Sequence, residues 1–136
     1  MKIIVCLDDN GGMTFNNRRQ SRDRAVTQDI LRMTKGARLL IAPFSEKLFA
    51  ENENEVVIDE DFLSVAGVGD YCFVEDRTIG AYSLNAEELV IYRWNRRYPA
   101  DTYFDVELNK LGLVSVEVSE FEGNSHERIT KEIFRR

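Results

Sequence analysis

The sequence predicts an α/β fold with a mostly parallel central sheet, closed by an antiparallel hairpin at its C-terminal end. Three observations carry this expectation. Short apolar runs rich in β-branched residues recur at KIIVCL, GARLLI, DYCFVED and EELVIYRW, as strands covered on both faces require. An amphipathic helical pattern lies between the first two, the order of a strand–helix–strand unit. After Pro99 the pattern changes to strict alternation, Val114, Val116 and Val118 against Ser115, Glu117 and Ser119.

In chain order, residues 3–7 form a continuous apolar run, the expected central strand. Residues 8–21 then lose all periodicity, carry Gly11 and Gly12, and are rich in Asn and Arg, which predicts a long loop. Ser21 suits the N-cap of the next helix, with Asp23 in its first turn. Val26, Ile30 and Met33 follow on one helical face and Gly36 ends it. Residues 37–42 are the second strand, broken by Pro43, after which Ser45 can cap a short helix reaching Ala50. The acidic run 51–55 reads as a solvated connection, 55–58 as a brief strand and 59–66 as a helical turn capped by Asp59. Residues 77–85 are too short for a full crossover helix with both its connections. Gly123-Asn124 turns the chain into a last strand over 127–135.

With 136 residues the chain suits a single domain, 1–136, able to bury roughly two-thirds of its unfolded surface. Hydrophobic residues make up 43% and charged residues 31%, a balance that excludes wholesale disorder. The net charge of -6 opposes chain-wide attraction to nucleic acid or an anionic membrane. No apolar run reaches membrane-span length, and two aspartates follow KIIVCL where a secretory signal would continue, so the expected location is cytoplasmic. Cys6 and Cys72 lie inside apolar strands and read as buried reduced thiols. A single histidine excludes multi-histidine metal hydrolases, and no metal site is expected. Nor is there a nucleophile elbow, a P-loop or a paired-cysteine zinc motif.

The order of these elements resembles the dihydrofolate reductase fold family. Gly12-Met13 is similar to that family's mobile loop, between its first strand and first helix. Asp101, Thr102 and Phe104 resemble the Asp-Thr-x-Phe loop before its closing hairpin. The resemblance implies NADPH as cofactor and reduction of a pterin or similar heterocycle. It makes Asp23 (or Arg24, one residue on) the acidic position that binds and protonates the substrate, Ser45 a cofactor-phosphate contact, and the Gly11–Met13 loop a lid.

The departures point the other way. The chain is short for the family, and the loss falls after DYCFVED, where a glycine-rich turn and helix would hold the cofactor pyrophosphate. VEDRTIGAYSLN stands there, with Glu75 and Asp76 set to repel a phosphate. The family's Gly-Arg-x-Thr/Ser pattern is replaced by Ala42-Pro43-Phe44-Ser45. The sequence therefore predicts a protein without a dinucleotide site, its cofactor none, with a divergent NADPH-dependent reductase as the alternative. If it is an enzyme at all, a reductase is expected rather than a metal-dependent hydrolase.

The loop itself offers the expected site. NNRRQSRDR packs Arg18, Arg19, Arg22 and Arg24 beside a helix N-terminus, where guanidinium groups and free N–H groups suit carboxylate or phosphate. With Met13 these arginines are the predicted ligand-binding residues, for a small anion or a protein partner. Asp8 and Asp9 read as turn-starting residues, and His126 as an exposed structural residue. A second cluster, Arg93, Trp94, Arg96, Arg97, Tyr98 and Tyr103, has the interleaving of an RNA-stacking surface, although its aromatics more simply finish a core.

Overall fold

Residues 1–50 and 54–136 are described by a computed structural model. The expected solvated run at 51–55 lies outside them except for Asn54 and Glu55. The elements are β1 (Lys2–Leu7), β2 (Gly12–Phe15), β3 (Arg18–Arg19), α1 (Arg24–Met33), β4 (Arg38–Ile41), β5 (Glu55–Ile58), α2 (Phe62–Val65), β6 (Tyr71–Val74), β7 (Glu88–Arg93), β8 (Thr102–Tyr103), β9 (Val114–Phe121) and β10 (Ile129–Arg135). Short 3-10 helices occupy Pro43–Phe49, Gly80–Asn85 and Leu108–Leu111.

One sheet has the order β5-β4-β6-β1-β7-β10-β9. The first five are parallel to one another, and β10 joins β7 and β9 antiparallel, as the sequence predicts. Because β1 is central, its alternate side chains feed two cores. Ile3, Val5 and Leu7 pack with Phe62 and Leu63 of α2, whereas Ile4 packs with Val26 and Ile30 of α1. Tyr92 fixes α1 from below, its hydroxyl donating to Asp29 at 2.5 Å while Lys131 pairs with the same carboxylate at 2.8 Å.

Several expectations need correction. The loop 8–21 contains two short strands, which with β8 form a second sheet of order β3-β2-β8. Asn16 and Asn17 both have positive φ, 53° and 59°, as a tight hairpin turn requires. The missed signal was this Asn-Asn pair, and the pairing partner Thr102–Tyr103 is remote in sequence. Gly12 is needed here, since a Cβ would lie 2.6 Å from that of Ala100.

The N-cap of α1 is Asp23, not Ser21, because its carboxylate accepts the Ala25 N–H at 2.9 Å. Ser45 sits inside a 3-10 helix opened by Pro43, and it caps nothing. The turn before α2 uses Asp59 to accept the Asp61 N–H, and the helix itself spans only four residues. Strand β9 is exposed on both faces along almost its whole length, since it edges the sheet beyond any covering helix. Cys72 is buried and Cys6 half-buried, both as free thiols.

Candidate functional site

The C-terminal ends of the parallel strands are where open α/β sheets gather ligands. Two carboxylates have already filled much of this end. Glu75, just past β6, is buried, and Arg19 of β3 grips it through Nε at 2.6 Å and Nη2 at 2.8 Å. Ser45 donates its hydroxyl to the same carboxylate at 2.7 Å. Burial works against the Arg19 charge, but Glu75 more than offsets it and raises the guanidinium pKa. The Arg19 guanidinium also lies over the Phe44 ring, 5.3 Å from its centroid.

The repulsion expected of Glu75 and Asp76 is therefore corrected: Glu75 is paired with Arg19, and Asp76 with Arg77 at 2.9 Å. The next donors along the chain are taken as well. The N–H groups of Ile79 and Gly80 donate to the Asp105 carboxylate at 3.0 and 2.9 Å. Ile79 and Gly80 open a short 3-10 turn, in keeping with a segment too short for a full crossover helix, and Asp105 comes from the segment after β8.

A second constellation joins α1 to the hairpin connection between β9 and β10. Both Asp23 oxygens are buried acceptors. Oδ1 takes the N–H groups of Ala25 and Asn124 at 2.9 and 2.8 Å, and Oδ2 takes Ser125 N–H at 2.7 Å and His126 Nδ1 at 2.9 Å. Burial pushes the Asp23 pKa up, but the bonds from Asn124, His126, Ser125 and Ala25 outweigh it and bring it down to about 2. Gly123 allows this approach, because a Cβ there would meet Asp23 Oδ2 at 2.6 Å.

His126, expected to be exposed, is buried. It stacks on Trp94 with ring centroids 4.7 Å apart, and its Nε2 faces the hydroxyls of Ser21 at 3.1 Å and Tyr98 at 3.0 Å. Only the return of the hairpin connection to the helix N-terminus brings these residues together, across 103 positions of sequence for Asp23 and His126. Trp94 and Tyr98 are thus turned inward, and Arg93 pairs with Glu132. Arg96 and Arg97 stay exposed.

The predicted arginines part company. Arg19 is locked on Glu75, and Arg18 is exposed beside Phe15 and Tyr98. Met13 is buried in the core on the α2 side. Arg22 and Arg24 instead share a cleft of about 670 Å³ with Lys47, Thr27, Asn124 and Ser125. Lys47 escaped the sequence reading because it belongs to the separate 43–49 turn. Between α1 and the sheet, the cavity lined by Cys6, Asp23, Ile30, Phe49, Phe73 and Trp94 measures only about 10 Å³, near the volume of one water position. Asp8 turns the chain, accepting the N–H groups of Asn10 and Gly12 at 2.8 and 2.7 Å. Among the described residues no group of three or more His, Cys, Asp or Glu is placed to hold a metal ion.

Strand order, helix placement and the closing hairpin define a protein with a dihydrofolate reductase-like fold. A solved structure that the chain resembles is dihydrofolate reductase from Enterococcus faecalis, complexed with NADP(H) and RAB-propyl. The TM-score is 0.67 at 11% identity, over 99% of this chain and 95% of that one. No protein-family model and no curated protein matches the sequence. At such identity the likeness is one of fold alone.

Proposed function

We propose that this protein keeps the reductase framework without dinucleotide-dependent reduction, and binds a small carboxylate- or phosphate-bearing anion in the cleft at the start of α1. The observation that carries the reading is the grouping of Arg22, Arg24 and Lys47 around an open cleft. Among the described residues none of the three is paired with a carboxylate. Asn124 and Ser125 add polar groups to the same wall. Two arginines and a lysine supply both the charge and the forked donors that a carboxylate or phosphate requires.

A dinucleotide finds no free phosphate site beside Glu75. Ser45, the only hydroxyl left of the phosphate-binding pattern, already donates to Glu75, and Asp105 has taken the N–H groups where a pyrophosphate would dock. The cavity beside Asp23 is too small for a pterin ring, and all the bonds that Asp23 makes go to the chain itself. Asp23 is therefore read as a structural anchor for the Asn124–Ser125 wall.

Titration calorimetry with citrate, inorganic pyrophosphate and NADPH tests the reading. Saturable binding of a small polyanion, lost in the Arg22→Ala/Arg24→Ala double variant, supports it. Saturable NADPH binding that survives the double variant, or NADPH oxidation with a heterocyclic substrate, overturns it.

A further inference from the structure

We propose that Ser21 is an activated nucleophile, and that the chain hydrolyses small activated esters or thioesters through an acyl-serine. This goes beyond anion binding and rests on a different set of atoms.

Asp23 Oδ2 lies 2.9 Å from His126 Nδ1, and His126 Nε2 lies 3.1 Å from Ser21 Oγ. That is the order carboxylate, imidazole, hydroxyl in which a base activates serine, and such sites are recognised by geometry and not by chain order. The ionised Asp23 only accepts, so Nδ1 carries the ring proton and Nε2 presents its lone pair to the hydroxyls. The imidazole is held in plane by Trp94, stacked at 4.7 Å and 20°. Tyr98 reaches Ser21 Oγ at 3.3 Å, leaving the serine proton free to point at Nε2.

A purely structural clasp does not need this hydroxyl. Asp23 already anchors the 124–126 segment through two backbone N–H groups and the His126 ring. Ser21 is half-buried and lines the small cavity beside Asp23 and Trp94, while its chain neighbours Gln20 and Arg22 line the open groove along Arg18 and Tyr98 and the cleft at the start of α1. The Arg22 N–H directly follows the nucleophile and makes no hydrogen bond among the described residues. In nucleophile elbows the N–H of the residue after the serine stabilises the oxyanion, and the Arg22 N–H has that role here.

In the first step Ser21 Oγ bonds to the acyl carbon and its proton passes to His126 Nε2. Collapse of the tetrahedral adduct breaks the bond to the alcohol or thiol, which leaves with the Nε2 proton. Water then attacks the acyl-serine, again giving a proton to Nε2. That proton returns to Ser21 as the carboxylic acid departs. Asp23 is a positioning residue throughout.

The full chain treated with a fluorophosphonate should gain one adduct, mapped to Ser21, and p-nitrophenyl acetate should give a burst of one equivalent. Ser21→Ala should abolish both with an unchanged circular dichroism spectrum, and His126→Gln should slow labelling roughly 100-fold. If His126→Gln does not fold, Ser21→Cys carries the test. Its introduced thiol should react with iodoacetamide about tenfold faster than free cysteine at neutral pH. The native thiols stay silent, since burial pushes Cys72 up to about 12 and Cys6 well above its usual value. An unmodified Ser21 in the folded wild type, or an adduct on Tyr98 instead, overturns the proposal. So does an introduced thiol no faster than free cysteine.

Discussion

Arg19 and Glu75 face each other as a two-pronged ion pair, 2.6 and 2.8 Å long, at the end of the central sheet. The pair joins the small sheet to the large one, because Arg19 belongs to β3 and Glu75 follows β6. It also ties up an acidic and a basic group at the strand ends where ligands gather.

Removing one partner should therefore cost more than removing both. Glu75→Leu strands a largely buried guanidinium and the Ser45 hydroxyl, and should destabilise the fold by about 3 kcal/mol. The double change Arg19→Met/Glu75→Leu should return to within about 1 kcal/mol of the wild type. Urea unfolding of the three variants measures the cycle.

Asp23→Asn should loosen the clasp between α1 and the hairpin connection. An amide can still accept on one atom but cannot satisfy the N–H donors on both, a loss of about 2 kcal/mol near neutral pH. The pH dependence has a defined sign. The folded pKa is lowered to about 2 from 3.8, so this stabilisation is fully present above 3.8 and disappears as pH falls toward 2. The stability gap between wild type and Asp23→Asn should narrow over that interval in denaturant titrations at stepped pH.

Gly123→Ala should act on the same clasp by steric means. Its Cβ would meet Asp23 Oδ2 at 2.6 Å and the His126 carbonyl at 2.7 Å, both held by the hydrogen-bonded connection. A loss of about 2 kcal/mol is expected. Hydrogen exchange should localise the loosening to residues 122–128 and the first turn of α1, with β4 and β6 unchanged.

The cationic cleft should be salt-sensitive and additive. Arg22→Ala, Arg24→Ala and Lys47→Ala should each weaken binding of a small polyanion about tenfold. Raising ionic strength should weaken it further, since all three charges are solvent-facing. Calorimetry at two salt concentrations reads both effects. Arg18→Ala, outside the cleft, should leave the affinity unchanged.

The strands, the first helix and the closing hairpin were legible in the sequence because each is specified by neighbours. Continuous apolar runs at Ile3–Leu7 and Leu89–Tyr92 demand burial on both faces, and the spacing of Val26 and Ile30 demands a helix with one buried face. The hairpin hidden in the loop was half legible, in Asn16-Asn17. Its third strand was not, since β2 pairs with β8 only after some ninety intervening residues have folded. The arginine cluster was visible as composition, but not its division into one locked guanidinium, one exposed one and two in a cleft. Nor could the sequence place its lone histidine: His126 beside a Gly-Asn turn reads as surface, yet the returning connection seats it between Trp94 and Asp23. What depends on a few adjacent residues was written locally. Which charge meets which partner was decided only by the packed sheet, because side-chain pairing across many tens of residues leaves no periodic trace along the chain.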